Sequence, residues 1–150
     1  MPQRILTVFL LALIVSPAKA TNEMVTLSCA QPVDGCMGKL ERLAQAKGLK
    51  IFARIDHAAG AQSIGQSLRP TQLLIFGHPQ GGTPLLQCSQ TYGIDLPLHV
   101  LAWEDATGKR WLGYKVPVNF ARKYADPACD DALMRLMGGL DNLVREAVRE

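Results

Sequence analysis

The stretch from residue 96 to 116, LPLHVLAWEDATGKRWLGYKV, constrains this chain more than any other. Two runs rich in aliphatic and aromatic residues flank Asp105-Ala106-Thr107-Gly108-Lys109. So short a connection can join only antiparallel neighbours, because parallel strands need a crossover of a dozen residues or more. Part of the chain is therefore a hairpin. A hairpin alone is marginal in water, so further strands or covering helices must bury one of its faces.

The rest of the chain supplies both. Val25 and Leu27 alternate with polar residues in a short strand from Met24 to Cys29, which Gln31-Pro32 ends. Met37, Leu40, Leu43 and Ala44 form one apolar stripe. That stripe predicts a helix from Asp34, as its cap, to Lys47, with Gly48 beyond its end. In LKIFARIDH, Ile51, Ala53 and Ile55 alternate with Phe52, Arg54 and Asp56, which is a strand pattern. Asp56 is placed to cap a short helix in HAAGAQSIG. Gln72 to Phe76 reads as a buried strand, followed by a Gly/Pro loop, and Leu85 to Ser89 as a short helical turn. Pro117 opens a helix through Tyr124. Asp126-Pro127 precedes a further helix, in which Leu133, Leu136, Met137, Leu140, Val144, Ala147 and Val148 recur at helical spacing. The order is strand, helix, three or four strands, then helices. It predicts an α+β fold: an antiparallel sheet with helices gathered on one face and an added C-terminal helix.

The first twenty residues are expected to lie outside that domain. Arg4 precedes an apolar run from Ile5 to Val15, and Ala18-Lys19-Ala20 has the small-x-small form of a cleavage site. This is the pattern of a secretory signal peptide cut before Thr21. The run is too short to span a bilayer. Residues 21–125 then form the domain and 126–150 a helical extension packed on it. The chain is expected in the periplasm or secreted, with no membrane association after cleavage. Removing Arg4 and Lys19 lowers the basic count from 16 to 14 against 13 acids, a net charge of +1. Nucleic acid is therefore not an expected partner, since phosphate binding needs a basic surface.

An exported chain with Cys29, Cys36, Cys88 and Cys129 is expected to form disulfides. Four cysteines allow three complete pairings. Cys36 in the first turn of the first helix and Cys129 at the start of the last would meet if both helices share a layer. We therefore expect Cys129 to be bridged, to Cys36 or alternatively to Cys29. A bridge from Cys36 would close about ninety residues, worth about 4 kcal/mol in the chain-entropy model. No C-x-x-C or H-x-x-x-H spacing occurs, and no metal or cofactor is expected.

Four segments together resemble a known family: GLKIFARIDHAAGA, LRPTQLLIFGHPQGGTPLL, IDLPLHVLAWED, and Gly108, Trp111, Tyr114 and Pro117 at their spacing. The chain resembles the bacterial domain of unknown function 302 family over roughly residues 25–125. The resemblance implies a compact fold of the TATA-binding-protein-like type, ordered strand, helix, four strands, helix, and often a homodimer. It implies no activity. The family pattern reads Phe-Gly-Asn-Pro where this chain has Phe76-Gly77-His78-Pro79.

Candidate chemistry is sparse. Asp56 and His57 could form an acid–imidazole unit, although strand neighbours point to opposite faces and Asp56 reads more simply as a helix cap. His78, Gly81, Gly82 and Thr83 could form an anion-holding nest of backbone N–H groups, or only a bend after a strand. Asp95 could tie two loops together, and His99 shares a strand face with Leu101 and Trp103. No nucleophile motif is present. Three functions compete. The first is a non-enzymatic module binding a small ligand or a protein. The second is a hydrolase or isomerase using Asp56, His57 and Asp95. The third is a dimeric interaction protein. The first is the reading adopted from the sequence.

Overall fold

The structure, a computed structural model, describes residues 24–115 and 127–149. The expected signal peptide and the helix expected from Pro117 to Tyr124 lie outside these residues.

Among the described residues five strands form one sheet: β1 (Met24–Cys29), β2 (Lys50–Asp56), β3 (Thr71–Gly77), β4 (Leu98–Glu104) and β5 (Arg110–Lys115). Their spatial order is β1-β5-β4-β3-β2, and every neighbouring pair is antiparallel. The hairpin is β4–β5, with Trp103 opposite Trp111 and Glu104 opposite Arg110. Asp105 closes its turn. Its carboxylate accepts the Thr107 and Lys109 backbone N–H groups at 2.8 and 3.0 Å, and the Trp111 indole N–H at 2.8 Å.

Among the described residues four helices accompany the sheet: α1 (Val33–Ala46), α2 (His57–Ser63), α3 (Pro79–Cys88) and α4 (Pro127–Val148). A 3-10 segment, Gln90–Ile94, joins α3 to β4. The helices α1 and α4 lie on one face of the sheet. Met37, Leu40 and Ala44 of α1, Leu74 and Phe76 of β3, and Val100 and Ala102 of β4 are fully buried there. The α4 residues Leu140, Leu143, Val144 and Ala147 belong to the same core. The helix expected as an extension thus forms one wall of the main core. The end of α1 follows its sequence. Gly48 takes φ of +77°, and Gly48 and Leu49 donate their backbone N–H groups to Gln45 and Ala44 carbonyls at 2.9 Å. This glycine-terminated cap uses a backbone conformation that residues with a Cβ rarely adopt.

Three local expectations need correction. Asp34 is not the cap of α1: the helix begins at Val33, and the Asp34 carboxylate meets the Arg54 guanidinium at 2.6 Å. The alternation in β2 is broken at Phe52. Ile51 pairs with Phe76 on the core face, but Ala53 pairs with Ile75 on the other. One extra residue in the strand moves Ala53 and Ile55 to the open face. The disulfides are Cys29–Cys36 and Cys88–Cys129, with Cα separations of 6.4 and 5.8 Å. Cys129 is bridged as expected, but neither Cys36 nor Cys29 is its partner. The first turns of α4 pack on α3 and the 3-10 segment, where Leu85, Tyr92, Ala132 and Leu133 form a second apolar cluster. That packing brings Cys129 to Cys88, while Cys36 faces the end of β1.

Candidate functional site

The sheet register separates the residues of the enzyme reading. Asp56 pairs with Gln72 at one end of β3. His78 follows Gly77 at the other end, where Phe76 pairs with Leu98 two residues after Leu96. Five residues of strand at about 3.3 Å each put roughly 17 Å between the two ends. Asp56 and His57 therefore sit at one edge of the molecule, and His78 and Asp95 belong to the opposite end. Asp56 caps α2: its carboxylate accepts the Ala59 backbone N–H at 2.9 Å and the Gln72 side-chain amide at 3.4 Å. The Ala59 bond lowers its pKa below the ordinary carboxylate value, with smaller help from Gln72 and Arg54. His57 is an exposed first-turn residue of α2. Asp95 is exposed at the end of the 3-10 segment, and His99 is half-buried on the open face of β4.

The Gly/Pro stretch is a helix start, not a loop. His78 is the N-cap of α3, and its Nδ1 accepts the Gln80 backbone N–H at 3.1 Å. Pro79 occupies the first turn, where its missing N–H matters least. Gly81 and Gly82 donate their N–H groups to the His78 carbonyl at 3.0 and 3.2 Å. These groups are engaged within the helix, so the expected anion nest from His78 to Thr83 does not form. The glycines serve a different purpose. A Cβ at Gly81 would stand 3.2 Å from Leu136 Cδ1, and one at Gly82 3.5 Å from Leu96 Cδ1. The bare backbone of Gly81 lets α3 approach α4, while the Gly82 spacing is ordinary contact.

That approach leaves a cleft of about 340 Å³ between α3, α4, the end of α1 and the sheet. Its floor is apolar: Phe76, Leu98, Leu140 and Leu143, with Pro84 and Leu136 on the facing helix walls. Of the four residues expected to hold a ligand, only Gly81 lines it. Among the described residues the polar side chains of the lining are Lys47, Gln80 and Arg135, and none of these is a carboxylate. Lys47 is engaged by Glu146 at 2.9 Å. Arg135 is exposed on α4, and no ion pair links it to another described residue.

Two polar clusters hold the cleft's framework. Tyr114 of β5 is buried and donates its hydroxyl to Asp141 of α4 at 2.6 Å, and Arg145 Nε meets the same carboxylate at 2.7 Å. Burial, then the Asp141 bond, pushes the Tyr114 phenol up to about 12. At the far edge, Arg54 binds Asp34, Glu41 at 3.1 Å and the Gln72 side-chain oxygen at 2.8 Å. These contacts clamp β2 to α1. Among the described residues no group of three or more His, Cys, Asp or Glu is placed to hold a metal ion.

A single antiparallel sheet with helices packed on one face places the chain in the α+β class. Within that class, the sequence profile of "Domain of unknown function DUF302" matches residues 25–143, and the chain belongs to that family. The match runs well into α4. A crystal structure of an uncharacterized conserved DUF302 protein from Bacillus stearothermophilus superimposes with a TM-score of 0.75 at 17% identity, covering 86% of this chain and 100% of the other. Two curated relatives are 39% identical over 114 residues: the proteins named fluoride-specific ion channel FluC 1 of Brucella suis biovar 1 and of Brucella abortus biovar 1. The alignments take in 76% of this chain but only 45% and 42% of those proteins, so the chain spans less than half their length. No described helix of this chain is long and apolar enough to cross a membrane.

Proposed function

We propose that the chain is an exported binding module whose ligand site is the cleft between α3, α4 and the sheet. The observation that carries this reading is the cleft itself: concave, largely apolar, with a few polar groups at its margin, as small-molecule sites are. The separation of Asp56 and His57 from Asp95 speaks against the hydrolase or isomerase alternative. Export rests on the pattern of residues 1–20 and on the two disulfides. Channel activity is not part of this reading, because the relatives that carry that name are more than twice as long as the matched segment. A thermal-shift screen of the chain from Thr21 onward, against small apolar ligands, tests the site. Leu136→Trp, which fills the cleft, should abolish any stabilisation seen for the wild type. Equal stabilisation of both proteins would place the ligand elsewhere.

A dimer is the second element of the reading, and the open sheet face supports it. Leu73, Ile75, Leu101, Trp103 and Trp111 are half-buried there, and Trp103 and Trp111 stack with ring centres 6.4 Å apart. Phe52 and Ile55 beside them are 51% and 39% exposed. A contiguous apolar face of this kind marks an interaction surface. Sedimentation equilibrium should give twice the chain mass, and Ile55→Lys should return the mass of one chain.

A further inference from the structure

The cleft has chemistry enough to say what kind of ligand it suits. We infer that it takes a small anionic amphiphile, with a carboxylate held by Arg135 at the mouth and an aliphatic tail lying on Phe76, Leu140 and Leu143. The inference rests on the binding-module reading above.

The size comes first. At about 30 Å³ for each water-sized group, a 340 Å³ cleft holds roughly ten non-hydrogen atoms. An eight-carbon carboxylate has that count. The polarity comes next. The deep residues Phe76, Leu140 and Leu143 are 3% exposed or less and present only hydrocarbon. A polar ligand body would lose its hydration there without a partner. An unbranched tail loses nothing by entering.

The head group is decided at the rim. Among the described residues, two cations and one amide are the polar side chains that line the cleft. A cationic head would be repelled by Arg135, whereas an anion would be attracted to it. The two cations are unequal. Lys47 already has Glu146, whereas Arg135 pairs with no described acid. A guanidinium also matches a carboxylate in a planar, two-point geometry that an ammonium lacks. The start of α3 does not compete for the anion. Its Gln80, Gly81 and Gly82 N–H groups are bound to His78, and Pro79 has none.

Isothermal titration of the chain from Thr21 onward with octanoate, 1-octanol and octyltrimethylammonium separates the possibilities. Octanoate should bind roughly tenfold or more tighter than octanol, and the ammonium weakest of the three. Hexanoate should bind roughly 15-fold more weakly than octanoate, as two fewer buried methylenes require. Arg135→Gln should bring octanoate down to the level of octanol and leave octanol unchanged. Glutamine keeps good helix propensity, so α4 should be unaffected. Equal binding of octanol and octanoate, or tight binding of the ammonium, overturns the anionic head group but leaves the cleft as the binding site. Failure of all three probes overturns the binding-module reading as well.

Discussion

Removing either disulfide alone should reveal how unequal they are. Cys88–Cys129 spans 41 residues of sequence and Cys29–Cys36 only 7. In the chain-entropy model a bridge stabilises by restricting the unfolded chain, and the gain rises with the logarithm of the loop. The two contributions come to about 3.9 and about 2.4 kcal/mol at 25 °C, a difference of about 1.5 kcal/mol. Mutating cysteines would confuse this difference with packing, because Cys29, Cys36 and Cys129 are all buried. A cleaner comparison keeps the sulfurs in place. In Cys29→Ala/Cys36→Ala, urea unfolding with and without reductant isolates the Cys88–Cys129 bridge. In Cys88→Ala/Cys129→Ala, the same pair of curves isolates the other. Each difference is read at constant sequence, so lost side-chain volume cancels. Against a total stability of roughly 5–15 kcal/mol for a domain of this size, reduction of the longer bridge should shift the urea midpoint far more than reduction of the shorter. Equal shifts, or a larger shift for Cys29–Cys36, would refute an entropic origin.

The remaining expectations concern the polar clusters. Tyr114→Phe should cost about 1 kcal/mol, since it removes a hydrogen bond to a partly exposed carboxylate. Because the folded phenol titrates near 12 rather than at its ordinary 10, its contribution is complete below pH 10 and fades as pH rises towards 12. Absorbance at 295 nm should show a late-titrating component that is diminished in Tyr114→Phe. Arg54→Ala should cost about 2 kcal/mol by leaving the buried Gln72 oxygen without its donor. Adding Gln72→Leu to it should recover part of that loss in a double-mutant cycle, and strict additivity would contradict the proposed coupling. The Asp105 carboxylate is held well below its usual range, first by the Thr107 side-chain bond and then by Trp111. Its contribution to the β4–β5 turn is present above the ordinary carboxylate pKa and is lost as pH falls below it. Asp105→Asn should flatten that acid-side loss in a thermal-denaturation series.

Much of the framework was legible in the chain. The β4–β5 hairpin, the strand positions, the Asp56 cap and the Gly48 helix end all follow from local chemistry acting within a few residues. What was illegible depends on contacts across the fold. The sequence around Phe52 alternates cleanly, but its pairing with β3 inserts one extra residue and reverses which side chains face the core. His78 to Thr83 looks like a flexible turn because it holds two glycines and a proline. Packing against Leu136 favours glycine at position 81 in a helix that lies close to its neighbour. The cleft escaped notice because its lining comes from five separate segments, and no one of them carries a motif. Arg54 gave no sign of being the hub between Asp34, Glu41 and Gln72, since its partners are up to 20 residues away.

Each cysteine is bonded to the next one in the chain, first with second and third with fourth. The order of synthesis therefore matches the order of pairing. A chain emerging amino-terminus first presents Cys36 to Cys29 while Cys88 and Cys129 are still to come. When Cys88 emerges, both earlier thiols are already committed, and its one remaining partner is Cys129. Such a chain can reach its covalent form under an oxidant alone, with no bond that must be broken and remade.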